Sequence, residues 1–255
     1  TSEAVGTTLA IPAAAAPPLP LAEARIKLSV LIDSSMDSEL VRIPVLEVRK
    51  MYSRYVETRG AEPKEDIEPT IEQLSAVKQV LDNDLAPYVD FALFGPYGKR
   101  FLAKLTLAAW SYLPNGTWLR RDLPGPPTFE HWWSSFRVLR TTFLLLDAVD
   151  TELLDNYGEL VRSFHNKYGH EAWFLIYLAD VRMRNEHFDR MRRNAERDHE
   201  KDERAGVKTN FDIRRPWNTV FAKAVADKDW WGDNLHMDAM LYLGRIKTAA
   251  QVSGD

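Results

Sequence analysis

The feature that most constrains this chain is the aromatic stripe that begins at Phe129. Phe129, Trp132, Trp133, Phe136, Leu139, Phe143 and Leu146 recur mostly three and four residues apart, which on an α-helix puts them on one broad face. A face of that size must be covered by other apolar surfaces, and the chain supplies them. Asp150 is expected to cap a helix carrying Leu153, Tyr157, Leu160, Val161, Phe164 and Tyr168 and closed by Gly169. A long helix is expected from about Glu171 to Glu200, with Trp173, Tyr177 and Val181 inward.

Shorter helices flank this centre. Pro44 opens one to about Arg59, ended by Gly60, with Val45, Val48, Met51, Tyr52 and Tyr55 on one face. Another runs 70–82, where Thr70 and Gln73 have the spacing of a capping box. Helices near 216–226, started by Pro216, and 234–247 follow a loop at 205–212. Two segments read as strands instead. Residues 25–32 alternate like a half-buried strand, and 105–123 read as a hairpin around Asn115-Gly116. Gly95-Pro-Tyr-Gly98 makes a turn, and Pro124-Gly125-Pro126-Pro127 separates the hairpin from the stripe.

The expected fold is therefore mainly α, in three parts. An extended N-terminal arm, 1–22, is Ala/Pro-rich and nearly uncharged, and is expected to dock on a neighbouring copy. A helical core with the one hairpin spans 23–200, and a C-terminal helical extension spans 201–255. No internal repeat is seen.

Composition narrows the chemistry. An apolar content of 45% with 27% charged residues fits a globular chain rather than a disordered one. The absence of cysteine excludes disulfides, thiol nucleophiles, zinc–thiolate sites and iron–sulfur clusters, and fits a reducing compartment. The apolar run Ala10–Ala16 is broken by Pro12 and lacks the basic flank of a signal peptide. The expected location is intracellular, in cytoplasm or nucleus, or within an assembled particle, with no membrane partner.

No catalytic motif emerges. Gly95-Pro-Tyr-Gly-Lys-Arg100 lacks the spacing of a phosphate loop and has Arg where Ser or Thr would hold magnesium. Neither a nucleophile elbow nor a dinucleotide fingerprint is present. Glu196 and His199 have the Glu-x-x-His spacing of di-iron helices, but their neighbours are charged all round, so a solvated helix end is expected. His165, His170, His187 and His236 belong to unrelated patterns. The expectation is no enzyme activity, no cofactor and no metal.

Charge is distributed unevenly. Residues 61–90 hold eight acids against Lys64 and Lys78, a net of −6, whereas 95–121 hold five cations and no acid, a net of +5. Either an internally paired surface or head-to-tail contact between copies accounts for this. The five cations, Lys99, Arg100, Lys104, Arg120 and Arg121, are interleaved with Tyr97, Phe101, Trp110, Tyr112 and Trp118. Cations for phosphates beside aromatic faces for bases are what single-strand binding needs; the competing reading is that the aromatics are core. Arg182, Arg184, Arg190, Arg192 and Arg193 against Glu186 and Asp189 form a second basic ridge, net +3. Asp180 lies four residues before Arg184 and continues the line of Trp173 and Tyr177, so this pair is either a shielded structural ion pair or an exposed helix bridge. Candidate nucleic-acid contacts are thus Lys99, Arg100, Lys104, Arg120, Arg121, Arg182 and Arg184, with Asp180 and Arg184 as the candidate ion pair. The Trp132-Trp133 and Trp230-Trp231 doublets place two rings about 100° apart on a helix, one for the core and one for a partner or a second buried side.

The run Tyr88-Val-Asp-Phe-Ala-Leu-Phe-Gly-Pro-Tyr-Gly-Lys-Arg100, then Leu123-Pro-Gly-Pro-Pro-Thr-Phe129, Trp132, Leu154-Asp-Asn-Tyr157, Tyr168-Gly169, Trp173 and Ala179-Asp-Val-Arg-Met-Arg184 resembles a block common in multicopy, uncharacterised dinoflagellate proteins. The resemblance covers about residues 70–195. Several proteins with the block resemble products of mobile or virus-derived elements, which implies a Gag-like or coat-like role and assigns no catalytic residue. The leading expectation is a self-assembling nucleocapsid or coat subunit that binds itself and single-stranded RNA without sequence preference. A scaffold or adaptor subunit of a large complex, free of nucleic acid, is the alternative, and a cofactor-independent enzyme is a third reading with no supporting constellation.

Overall fold

The computed structural model describes residues 26–33, 36–96 and 104–252, with side chains described as far as Ile246. The arm at 1–22 and the Tyr97–Gly98 half of the expected turn lie outside the described residues. The fold is mainly helical with one two-stranded antiparallel hairpin. In chain order the elements are α1 (Val45–Arg59), α2 (Ile71–Asp82), β1 (Thr106–Tyr112), β2 (Trp118–Pro124), α3 (Phe129–Leu146), α4 (Thr151–Tyr168), α5 (Trp173–Arg182), α6 (Phe188–Arg204), α7 (Pro216–Ala226), α8 (Lys228–Trp231) and α9 (Met237–Val252).

Local chemistry explains most boundaries. Thr70 Oγ1 accepts from the Gln73 backbone N–H while Gln73 Oε1 accepts from the Thr70 N–H, closing the capping box of α2. The same Gln73 amide donates to the Gly95 carbonyl at 2.8 Å, so the cap also anchors the chain ahead of the hairpin. Gly60 ends α1 at φ 78°, a left-handed conformation that glycine adopts without strain. Within α1, Met51 and Tyr55 are buried and Val48 and Tyr52 partly so, whereas Val45 is exposed.

Two expectations are corrected. Among the described residues, 26–33 do not form a strand: they make one bridge, Lys27 to Glu39, and a 3₁₀ turn at Leu28–Val30 follows. With no longer ladder to satisfy its backbone, the segment turns and drives Leu28, Leu31 and Ile32 into the core. Asp150 sits at the N-cap of α4, but its carboxylate makes no cap bond. It accepts from Arg215 at 2.6 Å and Asn218 at 2.8 Å instead, tying α4 to α7.

The aromatic stripe of α3 is the floor of the core. Trp132 stacks on Phe136 with centroids 4.8 Å apart, and Tyr157 of α4 reaches Phe188 and Phe221 edge-on. Gly158 lets α3 and α4 approach closely, since a Cβ there would lie 2.8 Å from Phe136 and 2.9 Å from Trp133. The expected long helix is one helical path from His170 to Arg204, divided by a π turn at Met183–His187. A second π turn, Gly232–His236, leads into α9. The C-terminal helices form as expected, and Trp217, Phe221, Trp231, Leu235 and Tyr242 enter the same apolar cluster as α3, α4 and α5. Each tryptophan doublet splits. Trp132 and Trp231 are buried, while half-buried Trp133 lies under Arg162 and half-buried Trp230 stacks on His187.

Candidate ligand cleft beside the hairpin

The candidate cations among the described residues do not assemble into one groove. Lys99 and Arg100 lie outside the described residues. Lys104 approaches Asp90 at 3.7 Å, a link between the basic and acidic stretches, and Arg120 approaches Asp122 at 3.4 Å. Strand alternation then separates Arg120 from Arg121. Arg120 lies opposite Trp110 and Arg121 opposite Ala109, so the two project from opposite faces of the ribbon. Arg182 is exposed and donates to Asn234 at 3.2 Å. The ridge on α6 is largely occupied: Arg192 contacts Glu196 and Asp84, and Arg193 contacts Asp189.

Arg184 is a correction. It is 2% exposed and faces the interior, where Asp180 is 0% exposed, so it does not present charge to a nucleic acid. The shielded reading of the pair holds. Arg184 Nη2 donates to Asp180 Oδ2 at 2.7 Å, and Nε lies 3.0 Å from both carboxylate oxygens. Trp132 Nε1 donates to Oδ2 at 2.9 Å and the Tyr157 hydroxyl to Oδ1 at 2.8 Å. The remaining reach of Arg184, through Nη1, goes to the Val89 carbonyl at 3.0 Å. Its guanidinium lies 4.2 Å from the ring centre of Phe91 and 5.2 Å from that of Tyr88. Burial opposes the Arg184 charge, but Asp180 outweighs it and raises the guanidinium pKa above its ordinary value. Burial likewise pushes the Tyr157 phenol well up, and the Asp180 charge adds to this. The centre joins α3, α4, α5 and the segment 88–91 in one satisfied network.

A different arrangement of the same side-chain types opens to solvent beside the hairpin. One face of the ribbon carries Ala108, Trp110, Tyr112, Trp118, Arg120 and Asp122. Leu107 and Ala109, on the other face, are buried. The ribbon is held close to α5 by Gly125 at φ 151°, where a Cβ would lie 2.2 Å from Tyr177 and 2.4 Å from Leu107. Trp173 fixes the adjoining corner by donating its indole N–H to Pro126 at 2.8 Å. Between the ribbon, the 3₁₀ turn His170–Ala172 and α9 lies a cleft of about 460 Å³, walled by Trp110, Trp118, Trp173, Phe174, Tyr242 and Ile246, with His170 and Glu171 among its lining. Trp118 meets Tyr242 edge-on at 5.2 Å and 88°, and Phe174 meets Tyr242 at 5.0 Å and 83°. Burial raises the Tyr242 phenol pKa, and the Glu171 charge raises it further, which places that carboxylate within electrical reach of the walls. Among the described residues, the lining contains neither lysine nor arginine. Arg245 instead lies over Tyr112 at 4.3 Å, and Tyr112 meets Trp118 at 5.1 Å.

Other features are less suited to a ligand. A groove of about 560 Å³ between α1, α2 and 213–217 carries charges of both signs that pair across it, as Lys78 of α2 does with Glu47 of α1 at 3.9 Å. His199 is not solvated as expected: it is tucked against Phe211 with centroids 5.3 Å apart. Among the described residues, no group of three or more His, Asp or Glu side chains is placed to hold a metal ion, and no helix is long and apolar enough to cross a membrane. The cleft escaped sequence reasoning. Its available signal was the high tryptophan count, which named Trp110, Trp118 and Trp173 without showing that they meet. Comparison with protein-family models, with characterised proteins and with solved structures finds no match.

Proposed function

We propose that this chain is a non-catalytic scaffold or adaptor subunit that recognises a partner group in the cleft between the hairpin and α9. The observation that carries this reading is a pocket of aromatic rings beside the Glu171 carboxylate, open to solvent and, among the described residues, lined by neither lysine nor arginine. Its volume lies within the usual range for ligand sites. Exposed Met237, Met240 and Leu241, at i, i+3 and i+4 on α9, support contact with another protein surface. The nucleocapsid reading stands second. Exposed Trp110 and Tyr112 beside Arg120 and Arg245 support it, as does the resemblance to coat-like dinoflagellate proteins.

Salt-dependent RNA binding separates the two. The adaptor reading predicts that the full chain binds single-stranded RNA weakly at physiological salt and that replacing Lys99, Arg100 and Lys104 by Ala changes little. It also predicts self-association, seen by light scattering, that Met240→Glu weakens. An affinity that falls with salt at roughly −0.7 per phosphate neutralised, flattened by about two units in the triple variant, would instead establish the coat reading.

A further inference from the structure

We infer that the cleft is a receptor for an organic ammonium group, a methylated amine, with Glu171 as counter-charge and Trp118, Phe174 and Tyr242 as walls. This rests on the reading of the cleft as a recognition site and names its ligand class.

The protein's own interior shows the chemistry. At the buried centre a cation, Arg184, lies over the faces of Phe91 and Tyr88 and is paired with a carboxylate. A ring face carries partial negative charge, so it attracts a cation, most strongly where water is excluded. In the cleft aromatic rings and a carboxylate are again present, and among the described residues no lysine or arginine of the lining supplies the cation.

Wall geometry then selects among ligands. A flat nucleobase is best held between two parallel faces. Here Trp118 and Phe174 each stand nearly perpendicular to Tyr242, at 88° and 83°. The rings meet edge to face, so the walls include surfaces at right angles to one another, a corner that suits a rounded group such as trimethylammonium, whose charge spreads over methyl groups on all sides. Unmethylated ammonium is a poorer fit because it gives up strong hydrogen bonds to water on entering. A space of about 460 Å³ takes the headgroup and several carbons of its stem.

Among the described residues, the ionisable side chains lining the cleft besides Tyr242 are Glu171 and His170. Arg245 is directed onto the outer ring, Tyr112. Burial raises the Tyr242 phenol pKa, and the nearby Glu171 charge adds to it.

The test uses the full chain and its tryptophan fluorescence, since Trp110 and Trp118 line the cleft. Probes are choline, a short peptide amide bearing trimethyllysine, the same peptide with unmodified lysine, and 3,3-dimethylbutanol, the neutral isostere of choline. We expect saturable binding of choline or the trimethyllysine peptide, with the isostere and unmodified peptide about tenfold weaker, a factor equal to roughly 1.4 kcal/mol. Preference for the peptide over choline would identify a modified side chain as the source; preference for choline would identify a small molecule. Glu171→Gln, at an exposed position, should weaken the cations several-fold and leave the isostere unaffected, with unchanged circular dichroism. Equal binding of the isostere would overturn the ammonium assignment while keeping the cleft as a recognition site. Absence of saturable binding by every probe would overturn it as well, and the scattering and RNA measurements would then decide the adaptor reading separately.

Discussion

The Asp180 centre and the cleft beside the hairpin are both built from aromatic rings around one carboxylate, yet one is closed and the other open. In the centre, Trp132, Tyr157 and Arg184 converge on Asp180, and no ring face or oxygen of that group is turned to water. In the cleft, Trp110 is 40% exposed and Glu171 is exposed, while the inner walls Phe174 and Tyr242 are 5% and 9% exposed, so the opening lies on the ribbon side. The difference lies in how each set is delivered. The centre is assembled by helices whose inward faces must be covered, so every polar tip finds a protein partner. The cleft is bounded by a two-stranded ribbon, which buries one face of its root and leaves the alternate residues pointing outward. Identical chemistry therefore fixes geometry in one place and is available to a ligand in the other.

The sharpest way to break this contrast is Asp180→Ala. It strands a buried guanidinium and removes the acceptor of two further donors, so we predict a loss of roughly 3–5 kcal/mol in chemical denaturation. A midpoint close to wild type would mean that the centre is dispensable and would remove one side of the comparison. A smaller loss is expected for Trp132→Phe, which keeps an aromatic ring but withdraws the indole N–H from Asp180 Oδ2. A hydrogen bond to a charged group is worth about 1.5–3 kcal/mol, and the lost ring volume adds to that. Denaturation of the single and double variants would show coupling, because both act on one carboxylate.

How much of this was legible in the sequence differs between the two regions. Helix positions followed from periodicity, and Gly60, Thr70 with Gln73, and Asn115-Gly116 marked their ends and turn by local backbone chemistry. The i, i+4 spacing of Asp180 and Arg184, in line with Trp173 and Tyr177, indicated the pair and left its burial open. Trp132 and Tyr157 were placed correctly as stripe residues, but their polar tips gave no indication of where they would point. The cleft lay further out of reach, since its walls come from three stretches: 108–127, 170–174 and 242–246. Periodicity shows which face of an element is apolar, not which faces of distant elements meet. The misread strand at 25–32 has the same cause. Alternation is a statement about one segment, whereas a strand needs a partner, and among the described residues one bridge, to Glu39, meets it. Arg184 was offered both as a phosphate ligand and as an ion-pair member because net charge along a helix does not distinguish inward from outward turns.

The smallest expected effect tests the open side directly. Trp110 stands on the ribbon opposite Arg120, which is itself exposed. Truncating it removes a cross-strand contact worth roughly 0.2–1 kcal/mol and little else, since the ring is not enclosed. We therefore predict that Trp110→Ala shifts stability by less than about 1 kcal/mol, well under Trp132→Phe, although it deletes far more of its side chain. The same variant should diminish whatever the cleft binds, because the ring forms one of its walls. Loss of binding with preserved stability is the signature of a residue kept for recognition. If Trp110→Ala instead unfolds the chain as readily as Trp132→Phe, the hairpin is part of the load-carrying core, and the division between a closed centre and an open cleft fails.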